Sequence, residues 1–216
     1  MIPYGTVSGL RLRINKTSTA DDAVLLSLLQ AASEAIDRFT NHIIPGVNVF
    51  APDVTATARY YPGSGTRYQR INECVAITEV AVMDSTSTYV VWGATDWRAF
   101  TGSNRQPNFN DLPYSRLMVT ADSTYSSFLA CYSGTYSEPS VRVTARWGVT
   151  LSTPPEISTA CYMLAARWWK RMESAMADTL ASGELGQLIY TQEIDPDVKL
   201  LLRQTRWYAP QGTRYT

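Results

Sequence analysis

Val141-Arg142-Val143-Thr144-Ala145-Arg146-Trp147-Gly148 runs on through Ser152 into Thr153-Pro154-Pro155-Glu156-Ile157. In its first half apolar Val141, Val143, Ala145 and Trp147 alternate with Arg142, Thr144 and Arg146. That period of two predicts a strand with one face in a core and the other toward solvent or a partner. The second half opens a helix: Thr153 caps, Pro154 takes the first helical position, and Glu156 stands three residues after the cap. Ile157, Ala160, Cys161, Leu164, Ala165, Trp168, Met172, Ala175 and Met176 then form one apolar stripe, which Gly183 and Gly186 close. A strand feeding directly into a long amphipathic helix predicts an α+β chain.

Working outward, a first helix begins near Thr19, with Asp21 and Asp22 at the positive end of its dipole. Its stripe is Leu25, Leu28, Leu29, Ala32, Ala35, Ile36 and Phe39, and it ends before Asn41 and Pro45-Gly46. A short third helix is capped by Asp195, opened by Pro196 and given an apolar face by Val198, Leu201 and Leu202. Between the first two helices the signals are those of strands. Thr55 to Tyr61, the turn Pro62-Gly63-Ser64-Gly65 and Thr66 to Ile71 predict a hairpin. Val75, Ile77, Val80 and Val82 keep to one face only if a bulge interrupts them at Thr78-Glu79. Gly102 to Pro113, with Asn104, Asn108 and Asn110, predicts an exposed loop. The expected organisation is an N-terminal arm and first core helix (1–49), a β-rich insertion (50–148), two C-terminal core helices (149–206) and a tail (207–216).

The 216 residues carry no formal net charge, and 45% are hydrophobic. That excludes a disordered chain and a protein that coats DNA, which needs excess cation to displace condensed counterions. Lysine occurs only as Lys16, Lys170 and Lys199 among 19 basic residues, and tyrosine supplies 13 side chains. Arginine and tyrosine are enriched at protein interfaces. Cys74, Cys131 and Cys161 are too few and too scattered for a disulfide framework and are expected as small, reduced, apolar side chains. The N-terminus lacks the pattern of a signal peptide, and no run approaches the ~20 apolar residues of a membrane span.

The residues that could do chemistry do not assemble into a catalytic set. His42 is the one histidine and is expected to be structural; with it alone no four-ligand zinc site can be written. Gly63-Ser64-Gly65 lacks the nucleophile-elbow pattern, and no phosphate-cradling glycine motif is present. Asp21 and Asp22, and Glu193, Asp195 and Asp197, are accounted for by helix starts. No cofactor is expected. Arg167, Lys170 and Arg171 form a basic cluster on the long helix, and Trp169 beside them turns off its stripe, so these four are candidate subunit contacts. A different class of function, a carbohydrate-like ligand module, would rest on Trp92, Trp97, Tyr114 and the Asn-rich residues 104–110.

Several segments, in order, resemble the head–tail connector (adaptor) proteins of tailed bacteriophages. They are Asp21 to Phe39; Thr57-Ala58-Arg59-Tyr60-Tyr61-Pro62-Gly63; Val141 to Gly148; Pro154 to Ile157 with Ala165 to Arg171; and Gly183 to Gly186 with Asp195 to Val198 and Leu201-Leu202. The long middle, roughly residues 84 to 135, departs from the shorter members, and its role does not carry over. The resemblance implies a non-enzymatic virion protein of the neck, assembled in the host cytoplasm. It implies a homo-oligomeric ring, commonly twelve-fold, docked beneath the portal protein and bearing a stopper or tail-completion protein. DNA would pass through the bore without sequence readout, and no membrane is involved. The C-terminal segment of such proteins often engages the portal, which points to Arg203, Arg206, Trp207, Tyr208, Arg214 and Tyr215 as anchors.

Overall fold

The computed structural model describes residues 1–84, 87–133, 136–177 and 194–208. Backbone packing divides the chain into a helical unit, Met1–Ile43 with Thr153–Thr216, and a β unit, Ile44–Ser152.

The helical unit contains α1 (Val7–Arg13), α2 (Asp22–Thr40), α3 (Pro155–Ala177) and α4 (Pro196–Arg203). α3 packs against the other three. The sequence pattern predicts a single N-terminal helix, so α1 is a correction. α1 spans seven residues and fully buries only Leu10, too few positions to show a period. Thr6 caps it, its hydroxyl accepting from the Gly9 N–H at 3.1 Å. α2 ends at Asn41, which takes the left-handed conformation at φ 61°. Its buried face is rotated from the apolar stripe: Leu25, Leu29, Ala32 and Ile36 are joined by Ser33, Asp37 and Thr40. Tyr4 explains the first two polar positions. Its backbone N–H donates to Ser33 Oγ at 3.0 Å, and its phenol donates to Asp37. α3 begins at Pro155, one residue later than its cap signal implies. Gly183, Gly186 and Glu193 lie outside the described residues.

The β unit is an antiparallel sheet of β1 (Thr57–Pro62), β2 (Tyr68–Met83), β3 (Tyr89–Val91), β4 (Trp97–Ser103), β5 (Gln106–Asn108), β6 (Tyr114–Val119), β7 (Cys131–Ser133) and β8 (Tyr136–Trp147). The order is β1-β8-β2-β6-β4-β5, with β3 on the far half of β2 and β7 on β8. The expected alternation of β8 is found, with Val141, Val143 and Ala145 fully buried and Trp147 2% exposed. The expected bulge is found too: Ile77 pairs with Ala145 and Glu79 with Thr144, leaving Thr78 as the extra residue. The hairpin expected of residues 55 to 71 does not form, because β8 lies between β1 and β2. Trp147 supplies the reason, its indole N–H donating to the Thr57 carbonyl at 2.9 Å while Tyr61 and Arg59 lie against its ring. The intervening turn is tied to other chain, Gly63 N–H to Ser140 Oγ (2.9 Å) and Gly65 N–H to the Phe128 carbonyl (2.8 Å). Residues 102–113 are largely exposed as expected, yet they carry β5, paired back onto β4 through Thr101–Asn108 and Ser103–Gln106.

Candidate assembly surfaces

The basic cluster of α3 separates once it is folded. Arg167 pairs with Asp195, the residue before α4, so that carboxylate bonds a neighbouring helix instead of capping its own. Arg171 is engaged within the chain. Lys170 is exposed and forms no ion pair among the described residues. Trp169 is a correction: it is 4% exposed, not a solvent-facing aromatic, and the half-buried position falls to Trp168. The stripe of α3 steps from Ala165 by four residues to Trp169 because the unanticipated α1 and the turn after it cover that flank. Lys16 Nζ stands 4.3 Å from the Trp169 ring centroid and bonds Asp21 (3.1 Å) and Glu173 (3.2 Å). Those carboxylates, Asp21 foremost, hold the Lys16 ammonium above its ordinary pKa. The Trp169 Nε1 is buried with no acceptor among the described residues.

Tyr162, which the sequence pattern does not single out, clamps α1 to α3. Its hydroxyl accepts the Thr6 N–H at 2.9 Å, and Arg13 stacks 4.4 Å from its ring. A Cβ on Gly5 would lie 2.7 Å from that ring, so glycine permits the close approach. The sign available in the sequence is the Gly5-Thr6-x-x-Gly9 spacing around a cap residue.

The C-terminal candidates divide in the same way. Arg203 and Arg206 are exposed, and Arg206 lies 4.0 Å over the Trp207 ring. Trp207 and Tyr208 are half-buried on the helical unit. The Trp207 carbonyl accepts from His42 Nε2 at 2.8 Å, and Tyr208 packs on Phe39 with centroids 5.5 Å apart. Trp207 and Tyr208, the first two residues of the expected tail, are thus in contact with the helical unit, and residues 209–216 lie outside the described residues. Arg214 and Tyr215 lie outside the described residues.

His42 is 3% exposed and structural, as expected. Cys74 and Cys161 are free and buried; burial pushes their thiols up to about 12 and about 11. The side chain of Cys131 lies outside the described residues. The aromatic residues considered for a ligand module do not converge. Trp92 is 5% exposed and sandwiched between Tyr125 (4.4 Å) and Phe128 (5.0 Å). Trp97 pairs with Val119 while Tyr114 starts the same strand, about 17 Å away at 3.4 Å per residue. Among the described residues no His, Cys, Asp or Glu cluster is placed to hold a metal ion. Among them also, no helix is long and apolar enough to cross a membrane.

No family model matches the chain, and no curated protein matches it. Among solved structures, it is similar to a chain in the neck of an empty GTA particle computed with C6 symmetry. The TM-score is 0.53 at 17% identity, over 94% of this chain and 88% of that one. At that identity the likeness is one of fold, a mixed α+β chain of helices and a large antiparallel sheet.

Proposed function

We propose that the protein is a structural component of a phage-like virion neck, forming a ring that joins the head to the tail and lets DNA pass. The observation that carries this reading is the fold likeness to a neck protein along nearly the whole chain, 94% of it. The connector-like segments of the sequence point the same way. The role is non-enzymatic and needs no cofactor. Twelve copies, the number implied by the family resemblance, are compatible with the sixfold symmetry used for the neighbour's neck. The portal protein lies on one side and a stopper or tail-completion protein on the other.

In this reading Lys170, with the exposed parts of Arg167 and Arg171, contributes to subunit contacts. Trp169 acts by holding the Lys16 turn that shapes the same flank. Arg203 and Arg206, followed by Arg214 and Tyr215, engage the portal, with Trp207 and Tyr208 as the root of the anchor. The test is the mass of the purified protein in solution, alone and with portal rings. A ring, either free or formed on the portal, is the expected result. A monomer that ignores portal rings would overturn the reading.

A further inference from the structure

α3 packs on three sides and leaves the fourth bare. Cys161 turns to α2, its sulfur 3.7 Å from Ser33 Oγ, while Tyr162 and Trp169 face α1 and the turn after it. Arg167 turns to Asp195 before α4. What remains is one strip along the helix: Glu156, Thr159, Met163, Ala166 and Lys170. Its alternating steps of three and four residues are those of a seam that faces another helix. Seven residues shift a side chain by only about 20° around a helix, so Glu156, Met163 and Lys170 stand almost in line. Glu156, Met163 and Lys170 are exposed, Met163 to 37%, and Thr159 and Ala166 are half-buried.

The strip carries two unmet charges of opposite sign. Neither Glu156 nor Lys170 forms an ion pair among the described residues. The charges beside them are already engaged: Arg167 with Asp195, Glu173 with Lys16, and Arg171 within the chain. Glu156 stands seven residues before Met163 and Lys170 seven after it, about 10 Å to either side at 1.5 Å per residue. Turned end for end, the strip is therefore its own complement. When two α3 helices lie antiparallel and centred on Met163, Glu156 of each copy meets Lys170 of the other. A parallel pair would instead set Glu156 against Glu156 and Lys170 against Lys170. Thr159 and Ala166 are short enough for the helix axes to approach to about 8–10 Å, and the two flexible Met163 side chains fill the centre.

We propose that two copies of the chain associate through this strip of α3, antiparallel and centred on Met163, as a twofold dimer of the free protein. One helix pair buries less than the roughly 1,000 Å² of a stable interface, so the dimer is weak, with a dissociation constant of about 10 to 500 μM. The dimer itself does not depend on the neck reading. A twofold contact closes on itself and cannot run around a ring. Within the neck reading, the dimer holds Lys170 away from ring contacts until assembly begins.

The test is the mass of the full chain in solution, by analytical ultracentrifugation from about 1 to 500 μM. The wild-type mass should rise toward that of two chains. Glu156→Lys alone, or Lys170→Glu alone, sets like charges across both contacts and should weaken the dimer at least about tenfold. An equimolar mixture of the two single variants re-forms both ion pairs in a mixed dimer and should recover wild-type association. The double variant exchanges the signs and should also dimerise like the wild type, each variant keeping the native circular-dichroism spectrum. A wild type that is monomeric at about 500 μM overturns the proposal. So does a single variant that dimerises undiminished, or a mixture and double variant that stay monomeric. Ring formation on portal rings is read separately. Rings from a protein with no free dimer refute the dimer and keep the neck reading; a dimer that never joins a ring does the reverse.

Discussion

Three of the eight arginines in the β unit bond to the protein's own backbone. Arg59 donates to the Pro45 carbonyl (2.7 Å), Arg146 to that of Asp53 (3.1 Å), and Arg67 to those of Val119 and Thr120 (3.1 Å each). Both Arg67 bonds leave one nitrogen, Nη2, which the planar guanidinium holds in place, a geometry that a flexible lysine stem does not reproduce. Arg67→Lys should therefore cost about 1 kcal/mol, read from the denaturant midpoint. An unchanged midpoint would show that those bonds add nothing net. The preference for arginine, which by composition points to interfaces, has this intramolecular cause for several of its members. The thiols make a second residue-scale prediction. In a Cys131→Ser variant, Cys74 and Cys161 should stay unreactive toward a thiol reagent at about pH 8 until the protein is unfolded. Their burial was legible from composition; the exposure expected of Trp169 was not, because a neighbouring segment decides it.

At the scale of elements, α1 depends on a close approach rather than on its own periodicity. A Cβ on Gly9 would collide with the Tyr162 hydroxyl. Gly9→Ala should cost about 1–3 kcal/mol by overpacking despite alanine's better helix propensity, measured by thermal or denaturant unfolding. A gain in stability would mean that α1 is not clamped there. The bulge in β2 is equally specific. Deleting Thr78 removes only the unpaired residue and keeps Val80 opposite Val143. Inserting one residue beside it would carry Val80 and Val82 to the opposite face, so the insertion variant, not the deletion, should fail to reach the native circular-dichroism spectrum. The bulge was readable in the sequence because four apolar residues slip phase within one run. The false hairpin was readable only as a pattern. Both flanking runs were truly strands, but their partner, β8, lies about 75 residues further on and wins through Trp147.

At the scale of the whole molecule, buried ionisable groups set the alkaline limit. Burial raises Tyr61 to about 12, as it raises Cys74 to about 12 and Cys161 to about 11, from ordinary values of 10.0, 9.0 and 9.0. The folded protein holds protons that the unfolded chain would release, so stability is full below about pH 9 and falls as pH rises toward 12. The denaturant midpoint should be level between about pH 7 and 8.5 and decline above about 9. A midpoint that rises there would refute this burial.

Truncation separates body from tail. Removing 209–216 should leave the unfolding midpoint unchanged and weaken portal attachment. Removing 207–216 should also destabilise the fold by about 1 kcal/mol, because Tyr208 leaves Phe39 and the Trp207 carbonyl leaves His42. The sequence by itself determined the α+β class, α2, α3 and α4, the strand period of β8 and the bulge in β2. Each of these follows from residues within a few turns or pleats of one another. Only the tertiary structure decided that β8 separates β1 from β2 and that Lys16, in the turn after α1, lies over Trp169. Those outcomes depend on partners far apart in the chain, where pairing and burial are settled by which surfaces meet.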